Sequence, residues 1–300
     1  MLTTSQTTLE FRELKQEDRQ WAAPLLERSG GNGCEYSFTT LFMWRKFYHN
    51  RIALQDGVLY ICSGESYLPP VGGDMREGIE RLWNHARGEG RPFVLYGADA
   101  ALAAQIEQWY PGKLSIEPSP GDFDYLYNSG DLAELPGKKY HSKRNHIAAF
   151  SRAYAWTYEP LDDGNTEDVI ELSREWCRQK GNCEDCEDRG LKSERCAIRE
   201  ALGLRRELGI VGGLIRVDGK AIAFTFGSPI NRETFDVHVE KALPDYGAAY
   251  TVINREFVSR ELRDYRYINR ENDLGLDGLR RAKQSYHPAI LLEKYVCREK

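Results

Sequence analysis

Two Asp-Gly steps, 162 residues apart, constrain the fold of this chain more than any other feature. Asp56-Gly57 lies inside "RIALQDGVLYICSG" (51–64), and Asp218-Gly219 lies inside "GGLIRVDGKAIAFTFGSPI" (212–230). Asp-Gly between two β-rich runs is the strongest short-range signal of a β-hairpin. A helix-rich stretch precedes each hairpin. We interpret this repetition as the trace of an ancient duplication, although two unrelated hairpins of this common type would give the same pattern.

The local patterns predict helices that alternate with strands, and the hairpins interrupt the alternation. The first half contains a strand (9–14), two helices (17–28, 38–47), the first hairpin (51–63), a helix (74–88), a strand (92–96), a helix (99–109) and strands (113–117, 123–127). The second half contains a helix (142–154), a strand (155–160), helices (166–180, 193–208), the second hairpin (210–228), a strand (233–240), a helix (248–262), a strand (265–270), a helix (275–286) and a strand (289–297). The order predicts an α+β fold with largely antiparallel mixed sheets flanked by helices, rather than a doubly wound parallel sheet.

The length of 300 residues suits two domains of average size, and a hydrophobic content of 41% gives each of them a core. The segment "SPGDFDYLYNSGDLAELPGKK" (119–139) is rich in Gly, Pro, Ser and Asp, as linkers are. We therefore predict an N-terminal domain over residues 1–130 and a C-terminal domain over residues 131–300 that carries the functional site.

Charge and segment composition limit the class of protein. The net charge of -5 argues against a general nucleic-acid coat. The N-terminal residues have no basic start followed by an apolar run, and no stretch is apolar enough for a membrane span. Seven cysteines without the spacing of a disulfide framework fit reduced thiols. We expect a cytoplasmic protein without transmembrane segments, and the sequence leaves its oligomeric state open.

The segment "YINRENDLGLDGLRRAKQSYHP" (267–288) is the strongest candidate for a functional site. Its polar part, "NREND", follows a predicted strand end, where sites in α/β proteins tend to collect. Two carboxylates and two amides within five residues exceed the needs of a plain turn. The candidate site residues of this segment are Asn269, Arg270, Glu271, Asn272, Asp273, Lys283, Tyr286 and His287.

Lys283 is predicted to lie on the apolar face of the helix that follows. At 100° per residue, this face also contains Leu276, Leu279 and Tyr286. The lysine then either extends past the leucines to water or is a partly desolvated cation that faces a cleft. The neighbouring "NREND" carboxylates favour the cleft.

The turn "PDYGAA" (244–249) is a second candidate. Gly247, Ala248 and Ala249 open a predicted helix, and their small side chains would let backbone N–H groups approach an anion at the positive end of the helix dipole. A close packing turn without a ligand is the simpler explanation of this pattern.

The run "GKKYHSKRNHI" (137–147) is a third candidate. Ser142 is the predicted N-cap of a helix, so that Lys138, Lys139, Lys143 and Arg144 crowd the positive end of its dipole. Phosphate, nucleic acid or carboxylates of the other domain would offset these charges. The alternative is an exposed basic run that salt screens at little cost.

Motifs for metals and nucleophiles are weak or missing. Four cysteines lie within twenty residues, and zinc is a minor alternative for them: Cys177, Cys183, Cys186 and Cys196. Only Cys183 and Cys186 form a CxxC pair, so we expect no metal. There is no GxSxG, Walker loop or HExxH motif. His238 alternates along a predicted strand and is interpreted as structural.

Three stretches together resemble a soluble bacterial family related to the C-terminal domain of phosphatidylglycerol lysyltransferase. They are "YLPPVG" (67–72), "KKYHSKRNHI" (138–147) and "NRENDLGLDGLRRAKQSYHP" (269–288). The resemblance covers nearly the whole chain and implies two tandem GNAT-like acyltransferase domains. The lysyltransferases carry membrane-spanning segments and use lipid, whereas this chain has no such segment.

The resemblance also implies which donor the second domain uses. The hairpin 212–228, the strand 233–240 and the helix 248–262 would form the central sheet and the helix behind its splayed strands. In acetyltransferases the turn R/Q-x-x-G-x-G/A before that helix holds the coenzyme A pyrophosphate, and here Pro244 occupies its first position. The departure favours aminoacyl transfer from a charged tRNA over acetyl transfer from an acyl-CoA, onto an amine or hydroxyl of a small molecule.

Roles follow from the resemblance and from the residue chemistry. The basic run and the Gly247–Ala249 amides would hold the donor phosphates, and Lys283 would stabilise an oxyanion or a phosphate. Glu271 or Asp273 would deprotonate the acceptor, and Tyr286, near the position of the tyrosine that is a general acid in many GNAT enzymes, would protonate the leaving group. Two alternatives stay open: a non-catalytic GNAT-like scaffold that binds a small anionic metabolite or a protein partner, and a coenzyme A-dependent N-acetyltransferase.

Overall fold

The computed structural model describes the backbone of residues 8–181 and 189–300, and the side chains in these ranges outside 180–193. The first half contains β1 (Arg12–Glu13), α1 (Arg19–Arg28), α2 (Phe38–Met43), α3 (Arg45–Tyr48), β2 (Arg51–Gln55), β3 (Val58–Ser63), β4 (Ser66–Tyr67), α4 (Met75–Gly88), β5 (Val94–Ala98), α5 (Ala100–Trp109), β6 (Leu114–Pro118) and β7 (Asp124–Asn128). Two helices, α6 (Ser129–Glu134) and α7 (His141–Ala153), follow. The second half contains β8 (Trp156–Pro160), α8 (Thr166–Gly181), α9 (Arg189–Gly203), α10 (Arg205–Leu208), β9 (Val211–Val217), β10 (Lys220–Pro229), β11 (Thr234–Ala242), α11 (Ala249–Glu261), β12 (Tyr267–Asn269), α12 (Asp277–Gln284), β13 (Ile290–Leu292) and β14 (Tyr295–Glu299).

The described strands form two seven-stranded sheets with the same internal order. The first sheet runs β1-β2-β3-β4-β5-β14-β6, and the second runs β8-β9-β10-β11-β12-β7-β13 when it is read from its β8 edge. In each sheet the fourth and fifth strands are parallel and the other pairs are antiparallel. The predicted class, mixed and largely antiparallel sheets flanked by helices, is confirmed.

The last strand of each half is exchanged between the sheets. β14 pairs with β5 and β6 in the first sheet, and β7 pairs with β12 and β13 in the second. Identical strand order with a reciprocal exchange is what a duplicated unit would produce, so the topology supports the duplication. The division near residue 130 stays a prediction, and β7, on its N-terminal side, belongs to the second sheet.

Both predicted hairpins are present. The turn residues Asp56 and Gly57 have φ values of 53° and 77°, and Asp218 and Gly219 have φ values of 49° and 81°. Positive φ at both central positions is the conformation that matches the twist of the flanking strands. Asp-Gly therefore specifies the two turns for the reason that its sequence signal indicated.

Several predicted boundaries are wrong. The first strand is reduced to Arg12–Glu13, the helix 38–47 divides at Trp44, the helix 193–208 divides at Leu204, and the strand 289–297 is two strands in different sheets. α7 begins at His141 after Tyr140, so Ser142 is not its N-cap.

The predicted apolar face of α12 is also wrong. Leu276 precedes the helix, and Leu276 and Leu279 are 55% and 40% exposed.

A shared core joins the two halves. Leu26 of α1 and Phe42 of α2 are buried in one cluster with Phe224 of β10 and Val252 of α11. α1 and α2 of the first half therefore pack against the second sheet. This packing brings residues of α2 and of the loop before it next to β10 and β11, where the candidate site lies.

The parallel pair β11–β12 opens into a wedge. The two strands pair over only three residues, Thr234–Asp236 with Tyr267–Asn269. β11 then continues to Ala242, whereas β12 ends at Asn269 and the residues after it turn away from β11. We call the space between the end of β11, the turn after β12 and the start of α11 the wedge.

Candidate active site

β11 supplies two buried ionisable side chains at a β-bulge. Phe226 of β10 pairs with Val239 and Gly227 pairs with Val237, so His238 is an extra residue in β11. A bulge bends its strand and redirects side chains, and bulges are frequent beside active sites. Nδ1 of His238 lies 3.3 Å from Oδ2 of Asp236, and both side chains are fully buried.

The turn after β12 is held by Lys283. Its ammonium group donates to the backbone carbonyls of Arg270, Glu271 and Asn272, the latter two at 3.0 and 2.5 Å. A lysine has three N–H donors, so these three carbonyls use all of them. Burial and the charge of Arg270 lower the pKa of Lys283 to about 8. The structure thus gives Lys283 the task of shaping the turn, which differs from the predicted contact with an oxyanion or a phosphate.

Glu271 occupies the centre of this turn and reaches the buried histidine. Its φ is 55°, in the left-handed region that non-glycine residues seldom adopt. Its amide donates to Oδ1 of Asn269 at 2.7 Å, and its Oε1 lies 3.5 Å from Nδ1 of His238. The side chain is 22% exposed, so a ligand can approach it. Backbone strain that several contacts maintain is common at functional sites.

Opposing effects set the pKa values of this pair. Burial and the charge of Asp236 raise the pKa of Glu271 to about 7, although His238 and Lys283 oppose the rise. Burial alone would lower the pKa of His238, but the charge and hydrogen bond of Asp236, together with Glu271, raise it to about 9. A carboxylate with a pKa near neutrality can take up a proton from an acceptor under ordinary conditions.

Asp273 has a different environment from Glu271. It is fully buried and accepts hydrogen bonds from Nε of Arg280 at 2.8 Å, from the Tyr125 hydroxyl at 2.7 Å and from the Gly275 amide at 2.8 Å. Burial would raise its pKa, but these partners lower it. Of the two predicted bases, only Glu271 has a raised pKa. Asp273 instead stabilises the start of α12 through Gly275 and Arg280.

Arg270 and Glu240 form an ion pair inside the wedge. Nη2 of Arg270 lies 2.8 Å from Oε1 of Glu240, and Nδ2 of Asn254 on α11 donates to Oε2 of the same carboxylate at 2.9 Å. Among the described residues, Arg270 Nη1 and Asn254 Oδ1 are buried and have no hydrogen-bond partner. Buried polar groups are nearly always paired, so each of these two atoms calls for an explanation.

Tyr286 closes the other side of the wedge. Its buried ring lies 4.8 Å below the Arg270 guanidinium and 3.8 Å from Nζ of Lys143. Its hydroxyl is hydrogen-bonded to the side chain of Thr251 in the first turn of α11, and burial raises its pKa. The hydroxyl is therefore protonated at neutral pH, as a proton donor must be.

The start of α11 offers less to an anion than the sequence predicts. The Ala249 amide donates to the Tyr246 carbonyl at 3.2 Å, and the Thr251 and Val252 amides both donate to the Ala248 carbonyl. Ala248 is left-handed with a φ of 68°. Of the predicted group Gly247, Ala248 and Ala249, the last has its amide occupied by the chain itself.

The basic run is only partly available to a ligand. Lys139 pairs with Asp131 at 3.3 Å, and Lys143 donates to the Ser285 hydroxyl at 2.7 Å. Arg144 donates to the Leu135 and Gly137 carbonyls after α6, and Lys138 is exposed. Only the contact of Lys139 with Asp131 is to a carboxylate, and Asp131 lies in the same predicted domain, so binding of an anion by the rest of the run stays a prediction.

The remaining predicted site residues are Asn269, Asn272 and His287, and they differ in their position relative to the wedge. Asn269 is fully buried at the end of β12, and its Nδ2 donates to the Asn32 carbonyl and to Oδ2 of Asp124, both at 2.9 Å. Asn272 contributes only its carbonyl, to Lys283. His287 is exposed, with Nε2 3.3 Å from the Lys139 carbonyl, outside the wedge.

Sequence reasoning missed a second buried polar group, formed by Glu35, Asp124 and Lys294, in addition to the group around His238. Nζ of Lys294 lies 2.6 Å from Oε2 of Glu35 and 2.9 Å from Oδ1 of Asp124, and the Cys34 amide donates to Oδ2 of Asp124 at 2.7 Å. Burial and Asp124 raise the pKa of the Cys34 thiol well above its usual value, which disfavours the thiolate. One signal was available for the group around His238: Asp236, His238, Glu240 and Lys241 place four ionisable side chains on one strand.

Two groups of described side chains bring ligand-type atoms within 4.8 Å of one another, as metal sites do: Asp236, His238 and Glu271, and Cys34, Glu35 and Asp124. In each group a protein cation already faces the carboxylates, namely protonated His238 in the first and Lys294 in the second. Of the four cysteines considered for zinc, Cys177 is buried and Cys196 exposed, and Cys183 and Cys186 lie outside the described residues.

Within the described ranges, no helix is both long and apolar enough to cross a membrane. A family model described as "Phosphatidylglycerol lysyltransferase, C-terminal" matches residues 26–298. The crystal structure of a conserved protein of unknown function from Bacteroides thetaiotaomicron is 38% identical, has a TM-score of 0.91, and is matched over 97% of this chain and 100% of its own. No match was found among curated proteins.

Two further structures show the same fold at low identity. One is the C-terminal domain of a putative lysylphosphatidylglycerol synthetase from Agrobacterium fabrum, matched over 95% of this chain and 92% of its own. The other is L-PGS from Bacillus licheniformis, matched over 94% of this chain and 92% of its own. Each is 15% identical, with a TM-score of 0.66.

Proposed function

Because this chain belongs to the family of the phosphatidylglycerol lysyltransferase C-terminal domain, we propose that it is an acyltransferase that moves an aminoacyl group from a charged tRNA onto an amine or hydroxyl. The family is described by lysyl transfer, and the similar Agrobacterium fabrum domain belongs to a putative lysylphosphatidylglycerol synthetase, which supports an aminoacyl rather than an acetyl group. The wedge between β11, the turn after β12 and α11 is the proposed site.

The two unpaired buried atoms carry this proposal. Arg270 Nη1 and Asn254 Oδ1 lie on side chains that both bind Glu240. An acetyl group could pair only Arg270 Nη1, through its carbonyl oxygen, and would leave Asn254 Oδ1 unpaired. An unpaired buried polar atom costs about 1–3 kcal/mol. An aminoacyl group carries a complementary pair: its α-ammonium can donate to Asn254 Oδ1, and its carbonyl oxygen can accept from Arg270 Nη1.

Glu271 is the proposed base and Lys283 a positioning residue. With a pKa of about 7 and a partly exposed carboxylate next to Arg270, Glu271 can remove a proton from an acceptor amine or hydroxyl as it attacks. Lys283 holds Glu271 in its left-handed conformation through the three carbonyl contacts. Tyr286, protonated and in the wedge, is the proposed proton donor to the leaving oxygen.

The donor phosphates have two proposed contacts. The first is the basic run of Lys138, Lys139, Lys143 and Arg144, and the contact of Lys143 with the Tyr286 ring supports a position for it beside the wedge. The Gly247–Ala249 turn is the weaker contact because the Ala249 amide is occupied. An occupied amide together with Pro244 argues against a coenzyme A pyrophosphate at this turn.

Ligand-induced stabilisation tests the donor. A ligand that binds only the folded state adds about 2.7 kcal/mol to the free energy of unfolding at a concentration one hundred times its Kd. The melting temperature rises as a result. We expect a shift with bulk aminoacylated tRNA, a smaller shift with uncharged tRNA, and none with coenzyme A or acetyl-CoA. A shift with coenzyme A and none with charged tRNA would establish the acetyltransferase alternative instead.

A second candidate function is a binding scaffold without turnover. The observation in its favour is that the Arg270–Glu240 ion pair and Tyr286 already occupy the wedge. Such a protein would use Arg270 to bind a small anionic metabolite. Binding of charged tRNA without any loss of its aminoacyl ester under single-turnover conditions would favour this candidate.

A further inference from the structure

Ser228 has no part in the proposed transfer, yet its hydroxyl is hydrogen-bonded to the buried histidine. Oγ of Ser228 lies 2.9 Å from Nε2 of His238, and Nδ1 of the same ring lies 3.3 Å from Oδ2 of Asp236. A hydroxyl, an imidazole and a carboxylate connected in this order form the arrangement by which proteins activate a serine. The relationship is invisible as a sequence motif because it depends on the bulge at His238.

The arrangement is built on paired strands rather than on loops. Ser228 and Asp236 are partners in the β10–β11 register, and the bulge inserts His238 two residues later. A Cβ atom at Gly227 would lie 1.9 Å from the Asp236 carbonyl, so only glycine allows this approach of the two strands. Functional side chains that rigid elements carry keep their mutual geometry.

Ser228 also borders a cleft on the molecular surface. The cleft has a volume of about 610 Å³ and lies between the first helices and the end of β10. Its lining residues include the apolar side chains Phe38, Leu208, Pro229 and Ile230. They also include charged residues of both signs: Arg19, Glu27, Arg232, Glu261 and Asp264. Apolar side chains in the same cleft as a hydroxyl suit a short acyl chain.

We propose that Ser228 is the nucleophile of an esterase-type site, separate from the wedge, that takes esters of short apolar carboxylic acids. Oγ forms a bond to the ester carbonyl carbon and its proton moves to Nε2 of His238. The bond from that carbon to the alcohol oxygen then breaks, and the proton goes from His238 to the departing alcohol. Water attacks the acyl-serine by the same proton route, which releases the acid and restores the hydroxyl. This activity goes beyond the transfer reaction and does not depend on it.

A fluorophosphonate probe, which reacts covalently with activated serines, tests the assignment. The purified full-length protein is incubated with the probe, the adducts are counted by intact mass, and the modified residue is located by peptide mapping. We expect one adduct, on Ser228, and none in Ser228→Ala. His238→Gln should slow labelling by at least about 100-fold. Ser142→Ala, which alters an exposed serine on α7, is the matched control and should label like the unmodified protein.

Labelling should accelerate as the pH rises from 7 to 9. Asp236 on β11 and Glu271 after β12 face His238 as charged groups, and Thr40 and Ser228 face it as hydroxyls. The two carboxylates hold a proton on the ring, which must leave before Nε2 can accept one from Ser228. A rate that is constant over this range would contradict the proposed role of His238.

A second measurement uses only the unmodified protein, so that it tests the proposal even where a variant does not fold. Hydrolysis of p-nitrophenyl butyrate by the unmodified protein should be blocked by prior reaction with the probe, and peptide mapping of that protein alone identifies the residue. An adduct on a residue other than Ser228, or no adduct on a protein that melts cooperatively, would overturn the proposal. Neither result depends on tRNA, so a failure here is distinct from a failure of the transfer reaction.

Discussion

Oε1 of Glu271 lies 3.5 Å from Nδ1 of His238, which connects the turn after β12 to the bulge in β11. The contact joins the segment that was the strongest candidate from the sequence to a histidine that the sequence analysis interpreted as structural. It also places one imidazole between Glu271, which is partly exposed, and Ser228, which borders the cleft. Protonation of His238 is therefore expected to affect both stability and reactivity.

The stability of the protein should fall between pH 6.5 and pH 9. The pKa of His238 rises from 6.5 to about 9 on folding, so its contribution is fully present below pH 6.5 and is lost as the pH rises through 9. A shift of this size corresponds to on the order of 3 kcal/mol. In His238→Gln the decline over this range should be much smaller, whereas the exposed control His146→Gln should keep it. Thermal melts across this pH range provide the measurement, and parallel curves for all three proteins would refute the prediction.

Asn254→Ala should weaken the binding of charged tRNA and leave uncharged tRNA unaffected. The substitution removes the unpaired Oδ1 that the α-ammonium is proposed to meet. Loss of one such contact raises the Kd by about tenfold. Titration of both tRNA forms measures the ratio, with Asn145→Ala on the exposed face of α7 as control. Equal weakening for charged and uncharged tRNA would show that Asn254 does not read the aminoacyl group.

Asp273→Asn should lower stability and spare the chemistry. The buried carboxylate accepts four hydrogen bonds, two of them from Arg280. Its lowered pKa means that its stabilisation is present above pH 3.8 and is lost as the pH falls through the folded value. We expect a loss of about 1–2 kcal/mol in denaturant melts. The exposed Asp277→Asn is the control. If this variant loses activity as fully as Glu271→Gln, Asp273 acts in the reaction.

Lys294→Met should destabilise the junction of the exchanged strands. Lys294 precedes β14 and contacts Asp124, the first residue of β7, and both side chains are buried. Removing one partner of a buried ion pair costs about 3–5 kcal/mol because the carboxylates remain uncompensated. Chemical denaturation compares this variant with Lys113→Met, an exposed lysine. A loss no larger than that of the control would show that the pair contributes nothing to the exchange.

The hairpins and the mixed sheets could be predicted because their signals are local. Asp-Gly requires only that two adjacent residues adopt a positive φ, and the family resemblance of the three motifs is confirmed by the match over residues 26–298. The exchange of β7 and β14 could not be predicted in this way. The residues of a short apolar strand do not specify which sheet the strand joins. Its sheet is determined by how the two halves pack together.

The candidate site was predictable in part for the same reason. The polar residues between Asn269 and Asp273 were visible as a cluster. Their division into a base and a structural carboxylate depends on the contacts of Asp273 with Tyr125 and of Glu271 with His238, partners that are 148 and 33 residues away in sequence. His238 looked structural because alternation along a strand does not reveal a bulge. Lys283 looked like a ligand contact because nothing in its helix shows that three backbone carbonyls surround it.

The proposed aminoacyl transfer, with Glu271 as the base, is tested most directly with charged tRNA and hydroxylamine. Hydroxylamine is a small amine that can replace the unknown acceptor. Formation of the amino acid hydroxamate is followed by mass spectrometry for the unmodified protein, Glu271→Gln, and the exposed control Glu233→Gln. We expect product above the protein-free rate, a rate that rises with pH through about 7, and a loss of about 100-fold or more in Glu271→Gln alone. Equal rates for Glu271→Gln and the unmodified protein, or no product above the protein-free rate, would contradict the account.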